Sequence, residues 1–325
     1  MPKIYVTREI PEAGLKLLRA KYPDFEMNAG ERVLGKDELI NKVKGCDAIL
    51  SLLTDGMSDD VMAAAGPNLK VISNYAVGFN NIDLAAASKR GIKVTNTPGV
   101  LTDATADLAI ALLFACARRI TESDKFTREG KFKAWGPLLF LGQDIPGKTL
   151  GIIGAGRIGS NVAVKMAKGF GMKVLYVDQF GNEPLEKEIG AKKVDLETLL
   201  KESDFISIHV NLTEATRHMI GEKEFAQMKS NCILINTARG PVVDEKALVK
   251  ALKEKKIFSA GLDVYENEPA LEPGLTDLEN VVIVPHIASA TLWTRNKMAE
   301  IAVQNLIDAL EGKMPEFCVN KDQLA

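Results

Sequence analysis

Residues 149–178 read TLGIIGAGRIGSNVAVKMAKGFGMKVLYVD, and the order of elements in this run decides the fold around it. Leu150, Ile152 and Ile153 form an apolar strand that enters a turn carrying Gly154, Gly156 and Gly159. A helical pattern follows through Phe170, and Val174–Val177 forms a second apolar strand closed by Asp178. Gly154 permits the tight turn, Gly156 lets the main chain come close to a pyrophosphate, and Gly159 lets helix and strand pack together. The helix N-terminus offers N–H groups and a positive dipole end to phosphates. Asp178, 19 residues after Gly159, is placed to bind both ribose hydroxyls of NAD and to repel the 2′-phosphate of NADP. A GxGxxG run alone fits a plain glycine-rich turn equally well. Strand, turn, helix, strand and terminal acid in sequence point instead to a dinucleotide site, with NAD(H) preferred over NADP(H).

The surrounding chain bounds what such a site can belong to. At 325 residues it can bury two cores. Its 41 lysines and arginines against 43 aspartates and glutamates leave a net charge of −2, which gives no basic surface for nucleic acid. The start, MPKIYVTREIPEAGLKLL, lacks a basic segment followed by a long apolar one. The longest uncharged apolar run, Leu108–Ala117, is too short to span a bilayer. Cys46, Cys116, Cys232 and Cys318 are scattered and form no CxxC pair, so we expect reduced thiols in a cytoplasmic protein with no metal site.

Strand and helix patterns alternate almost throughout, as in doubly wound parallel α/β sheets. In the first hundred residues Lys3–Val6, Ala48–Leu53, Val71–Tyr75 and a run from Val94 read as strands, while Pro11–Lys21, Val61–Ala65 and Ile82–Lys89 read as helices. Pro98 and Gly99 punctuate the chain, and Thr102–Arg128 reads as one long helical stretch with an apolar face. Beyond the glycine turn, Phe205–Val210, Cys232–Asn236, Ser259–Val264 and Val281–Val284 read as strands, and Ala290–Glu311 as a closing amphipathic helix. This order fits two doubly wound domains, a nucleotide domain of residues 99–286 inserted into a second α/β domain made of residues 1–98 and 287–325.

Three candidate sites lie just after predicted strands, on the edge where such sheets place ligands. Arg239, in Asn236-Thr237-Ala238-Arg239-Gly240, offers a planar fork suited to a carboxylate; a surface ion pair is the plainer reading. Glu266 and Glu268, in YENEP, read in isolation as a solvated loop. His286, in PHIASA, read in isolation is a packing residue. Together they make a different case. Reducing a carbonyl by hydride needs a proton donor, a group that keeps the donor charged, and a clamp for the substrate. Histidine, carboxylate and arginine supply these. Of the other histidines, His209 ends a strand and lines the cofactor side, and His218 reads as a surface residue.

GIIGAGRIG, NTARG, GLDVYENEP and PHIASAT resemble, in the same order, the signature segments of the D-isomer-specific 2-hydroxyacid dehydrogenases. YAVGFNNID (Tyr75–Asp83), VTNTPGVLTDATADLA (Val94–Ala109) and WGPLLFLGQDIPGKT (Trp135–Thr149) resemble the glyoxylate/hydroxypyruvate reductases among them most. The resemblance implies NADH-dependent reduction of a small 2-keto acid to the D-2-hydroxy acid. His286 would be the proton donor, Glu268 its paired carboxylate, and Arg239 the group binding the substrate carboxylate and carbonyl. It also implies substrate contacts from Leu53, from the N–H groups of Val77 and Gly78, and from Trp135 reaching into a partner subunit of a homodimer. An interface or core aromatic is the alternative for Trp135. Cofactor contacts are implied along Gly154, Ala155, Gly156, Arg157, Ile158 and Gly159, at Asp178, at Thr105 near the nicotinamide, and at Thr237, Ala238, Arg239, Asp263, His286 and Ala288.

The chain departs from the subgroup in two places. Asp178-Gln179-Phe180 carries no arginine where NADPH-using reductases carry basic residues, and Asn211 stands where the family usually has proline. Another D-2-hydroxy acid (lactate, phosphoglycerate or a bulkier acid) and a non-enzymatic, corepressor-like NAD sensor remain the alternative readings.

Overall fold

Short β-branched and apolar runs bounded by turns become parallel strands in two sheets. The structure, a computed structural model, describes residues 1–30 and 32–324. The first sheet contains β1 (Ile4–Val6), β2 (Glu26–Met27), β3 (Ala48–Leu52), β4 (Val71–Tyr75) and β5 (Lys93–Thr95), in the order β2-β1-β3-β4-β5. The second contains β6 (Thr149–Ile153), β7 (Lys173–Val177), β8 (Lys192–Lys193), β9 (Phe205–Ile208), β10 (Ile233–Asn236), β11 (Ser259–Leu262) and β12 (Val281–Ile283), in the order β12-β11-β10-β9-β6-β7-β8. All neighbours in both sheets are parallel. These are the two doubly wound sheets that the strand–helix alternation predicts.

Each sheet is buried on both faces, which explains why its strands read as continuous apolar runs. In the first, Ile4, Val6, Leu50 and Val71 face the helices Glu12–Lys21 and Leu292–Leu310, while Tyr5, Ile49, Ile72 and Val94 face the opposite core. In the second, Leu150, Ile152, Val174 and Phe205 pack with the helices Thr102–Ala117 and Arg157–Phe170, and Ile153, Ile206, Leu234 and Leu262 with the helices Leu196–Glu202 and Glu245–Lys253. Met1–Leu101 and Ala290–Ala325 form one compact unit and Thr102–Ser289 the other. The strand order reverses between β1 and β3 in one sheet and between β6 and β9 in the other. At such a point the connections leave in opposite directions and open a crevice at the carboxyl edge.

One expectation needs correction. Residues 102–128 are two helices, Thr102–Ala117 and Ile120–Arg128, broken at Arg119, whose φ is 51°. The carbonyl of Ala117 accepts the N–H of Gln143 at 2.8 Å instead of continuing the helix. Arg119 then turns onto Glu122, with Nε 3.0 Å from Oε2. Among the described residues no helix is long and apolar enough to cross a membrane.

The contact between the helix Arg157–Phe170 and β6 depends on Gly159. A Cβ there would lie 2.0 Å from Gly154 O and 2.9 Å from Ile152 Cγ2, and the first of these is backbone that cannot rotate away. Gly159→Ala is therefore expected to destabilise this unit by about 3 kcal/mol or more. That loss would read as a drop of several degrees in Tm; an unchanged melting curve would contradict the packing argument.

Candidate active site

Three turns at the carboxyl edge of the second sheet are fastened to one another. After β10, Asn236 Oδ1 accepts the N–H of Ala238 (3.0 Å) and its Nδ2 donates to Arg239 O (3.0 Å), which fixes the Thr237–Arg239 turn. Arg239 Nη1 donates to Ala238 O at 2.6 Å. A Cβ on Gly240 would lie 1.8 Å from the carbonyl carbon of Tyr265, so the turns after β10 and β11 touch main chain to main chain. Burial pulls the Arg239 guanidinium down from its usual range and Glu268 opposes this; arginine stays charged regardless.

After β11, the fully buried Asp263 accepts N–H groups from Ile287 (2.6 Å) and Ala288 (2.9 Å), which ties down the turn after β12. Burial raises the Asp263 carboxyl, partly offset by those N–H groups and the field of His286. The Tyr265 hydroxyl donates to Val284 O at 2.8 Å. Glu268 Oε1 accepts the Tyr265 N–H at 2.9 Å, and Glu268 Oε2 lies 2.9 Å from Nδ1 of His286, whose φ is 53°. Burial would raise the Glu268 carboxyl. The hydrogen bond and charge of His286, the Tyr265 N–H and the charge of Arg239 outweigh it and hold Glu268 below its ordinary value. A charged carboxylate thus fixes one imidazole nitrogen and leaves Nε2 for proton transfer.

The YENEP turn is not a solvated loop. Besides Glu268, the N–H of Glu266 donates to buried Glu245 (2.7 Å), and Glu266 Oε1 meets His218 Nε2 at 2.6 Å. His218 lies at the surface, and this contact had no signal in the sequence.

The glycine turn is shaped by what surrounds it. Gly154 has φ +95°, and a Cβ on it would lie 2.8 Å from the His209 carbonyl group, so the main chain after β9 crosses directly above. A Cβ on Gly156 would meet nothing within 4 Å. No side chain caps the helix Arg157–Phe170, which leaves the first-turn N–H groups at Arg157, Ile158 and Gly159 for an anion. Asp178 Oδ2 accepts the N–H of Ala155 at 2.8 Å. Thr105 and Thr237 are buried, and Thr237 Oγ1 has no hydrogen-bond partner. Open space at Gly156, uncapped N–H groups and this orphaned hydroxyl fit a dinucleotide.

One supporting residue was not foreseen. Asn182 Nδ2 donates to Ala155 O (2.8 Å) and Ser160 Oγ (2.9 Å), bracing the turn from behind. His209 Nε2 lies 2.8 Å from Ser207 Oγ, and burial pushes its pKa down to about 3, so the ring is neutral. Asn211 is exposed, and its carbonyl accepts the Thr216 hydroxyl at 2.7 Å.

Leu53, Val77 and Gly78 belong to the other unit, half-buried at its sheet's carboxyl edge after β3 and β4. Trp135 is no core aromatic: it is 81% exposed, in a segment where Phe132, Leu138 and Leu141 are exposed as well.

A reversing parallel sheet with an uncapped glycine turn and an Arg–Glu–His group on the same edge defines a dinucleotide-dependent oxidoreductase. The model of the D-isomer specific 2-hydroxyacid dehydrogenase NAD-binding domain matches residues 110–288. The glyoxylate reductase of Thermococcus litoralis is 54% identical, covering 99% of this chain and 98% of its own. The TT0316 protein of Thermus thermophilus superposes with a TM-score of 0.90 at 44% identity, covering 98% of this chain and 99% of its own. An NADPH-dependent glyoxylate/hydroxypyruvate reductase of Sinorhizobium meliloti gives 0.85 at 30% identity, with 99% and 98% covered. The chain belongs to the D-isomer specific 2-hydroxyacid dehydrogenase family.

Proposed function

We propose that the chain reduces a small 2-keto acid, with glyoxylate or hydroxypyruvate favoured, to the D-2-hydroxy acid, using NADH. The observation that carries this reading is the His286–Glu268 pair fastened to the Arg239 turn on the edge that bears the glycine turn. The hydride for the carbonyl carbon would come from NADH when it is bound. His286 donates a proton from Nε2 to the carbonyl oxygen, and Glu268, at Nδ1, stabilises the imidazolium before transfer. Arg239 grips the substrate carboxylate and polarises the carbonyl. We assign substrate contacts also to Leu53, Val77 and Gly78, and cofactor contacts to Thr105, the Gly154–Gly159 turn, Thr237, Ala238, Asp263 and Ala288. The unit built from both chain ends takes the substrate role, and the inserted unit takes the cofactor.

The exposed run Phe132, Trp135, Leu138 and Leu141 supports a homodimer, since apolar patches of this kind mark interaction surfaces; Trp135 would then reach the partner's site. The four cysteines are free and three are buried, which fits a cytoplasmic protein.

The first test follows NADH absorbance with glyoxylate, hydroxypyruvate, pyruvate and bulkier 2-keto acids, each repeated with NADPH. Fast NADH oxidation with glyoxylate or hydroxypyruvate supports the proposal, turnover of a different acid alone corrects the pocket, and no turnover with any acid overturns it. Asp178 supports NADH preference because its carboxylate sits at the N–H of Ala155, beside the turn. Asp178→Ala is expected to cut the NADH-over-NADPH preference at least tenfold, measured as a ratio of kcat/KM values; an unchanged ratio would remove Asp178 from cofactor selection.

A further inference from the structure

The loop after β4 has an unusual hydrogen-bond account. The N–H groups of Val77, Gly78 and Phe79 donate to no protein acceptor among the described residues, whereas the three carbonyls of the same peptide units are all engaged. Ala76 O accepts the N–H of Thr97 at 2.9 Å, Val77 O accepts Nδ2 of Asn96 at 2.7 Å, and Gly78 O accepts Nδ2 of Asn74 at 2.9 Å. These peptides are trans, so each N–H points opposite to its tethered carbonyl. Three successive N–H groups turned away from their anchored carbonyls offer an anion a set of oriented donors.

The anchors are themselves fixed. Asn74 is fully buried and its Oδ1 accepts the Ser51 hydroxyl at 3.0 Å. Asn96 is 7% exposed and its carbonyl accepts Nδ2 of Asn305 at 3.2 Å. Asn81 Nδ2 reaches Leu52 O (3.1 Å) and Asp55 O (3.0 Å), which fastens the loop carrying Leu53 to the same group.

We infer that Asn74 and Asn96 are positioning residues that set the N–H groups of Gly78 and Phe79 for the substrate carboxylate. This rests on the reading of the chain as a 2-keto acid reductase. An amide is needed at both places, because only its NH2 end donates to the loop carbonyl while its oxygen can accept elsewhere. An aspartate of the same shape presents acceptors only; it repels the carbonyl, frees the peptide to rotate, and sets a negative charge behind an anion site.

The test compares wild type with Asn96→Asp and Asn74→Asp, and adds Asn96→Ser, whose hydroxyl can still donate. The expected result is a rise in KM for the keto acid of at least tenfold in both aspartate variants. The change in kcat should be much smaller, because the carboxylate does not react, and the Kd for NADH should stay the same. Asn96→Ser should recover part of the KM. Oxamate, an unreactive carboxylate of similar shape, should lose affinity in parallel. Wild-type KM and oxamate affinity in both aspartate variants would overturn the inference, as would equal losses of NADH and keto-acid binding, which mark general unfolding. If aspartate lowers Tm too far to assay, Asn96→Ala and Asn74→Ala, which have no donor at all, carry the test, and unchanged KM in both overturns it. Failure of wild type to turn over any 2-keto acid is a separate result, and counts against the reductase reading itself.

Discussion

Replacing His286 by alanine is expected to lower kcat for keto-acid reduction by about 10³-fold, within the range that a positioned general acid supplies. The argument rests on how the ring is held. Its Nδ1 is 2.9 Å from Glu268 Oε2, and Glu268 is kept ionised below the usual carboxylate range by that contact, the Tyr265 N–H and Arg239 acting together against burial. Once the imidazole is gone, nothing at the same position can carry a proton to the carbonyl oxygen, and Glu268 faces the substrate's negative charge unscreened. The cofactor turn is held by other contacts, among them Asp178 to the Ala155 N–H and Asn182 to Ala155 O. NADH affinity should therefore change little. Stopped-flow measurement of hydride transfer with saturating NADH separates the two quantities. A variant that turns over near the wild-type rate would remove His286 as proton donor, whatever its distance to Glu268.

The parts of this site legible in the sequence are those in which one residue type answers one physical need. A glycine with φ +95° under a crossing main chain, and another whose Cβ would strike a carbonyl 2.0 Å away, leave no substitute, so the glycine turn could be read directly. Buried parallel strands likewise wrote themselves as apolar runs, and the strands from β3 onward follow the predicted ones to within one or two residues, except β8, whose exposed Lys192 and Lys193 form no apolar run. Helices held by caps and charge were not. Glu183–Ile189 buries only Leu185 and is set by the Asn182 cap, and Leu196–Glu202 by Asp195, so neither shows a broad stripe. The break at Arg119 was hidden because its cause, Gln143 donating to Ala117 O, lies far along the chain. The same holds for supporting polar groups. Asn182 behind the glycine turn, Glu245 beneath Glu266, and Asn74 and Asn96 behind Val77 and Gly78 act through bonds that connect distant segments, and an asparagine or glutamate carries no local mark of such a bond.

Arg239→Ala should produce a loss of comparable size but of a different kind. The guanidinium sits in a turn fixed by Asn236 and pressed against Tyr265 through Gly240, so its position does not depend on substrate being present. In the proposed reaction it binds the carboxylate in ground and transition states alike, and meets the charge that grows on the carbonyl oxygen only in the transition state. Removing it should raise KM and lower kcat together, with kcat/KM falling by about 10³-fold, as for an oxyanion donor combined with a lost charged clamp. Arg239→Lys should recover only part of this, because one ammonium cannot replace a planar two-pronged donor. A second readout follows from the electrostatics. Arg239 helps hold the Glu268 carboxyl down, so without it that carboxyl takes up a proton at higher pH. A protonated Glu268 no longer stabilises imidazolium, and the acid limb of kcat/KM should move to higher pH in Arg239→Ala, while Arg239→Lys, which keeps the charge, should move it less. Equal acid limbs in wild type and both variants would show that Arg239 and Glu268 act independently, and an unchanged kcat in Arg239→Ala would remove the arginine from the carbonyl altogether.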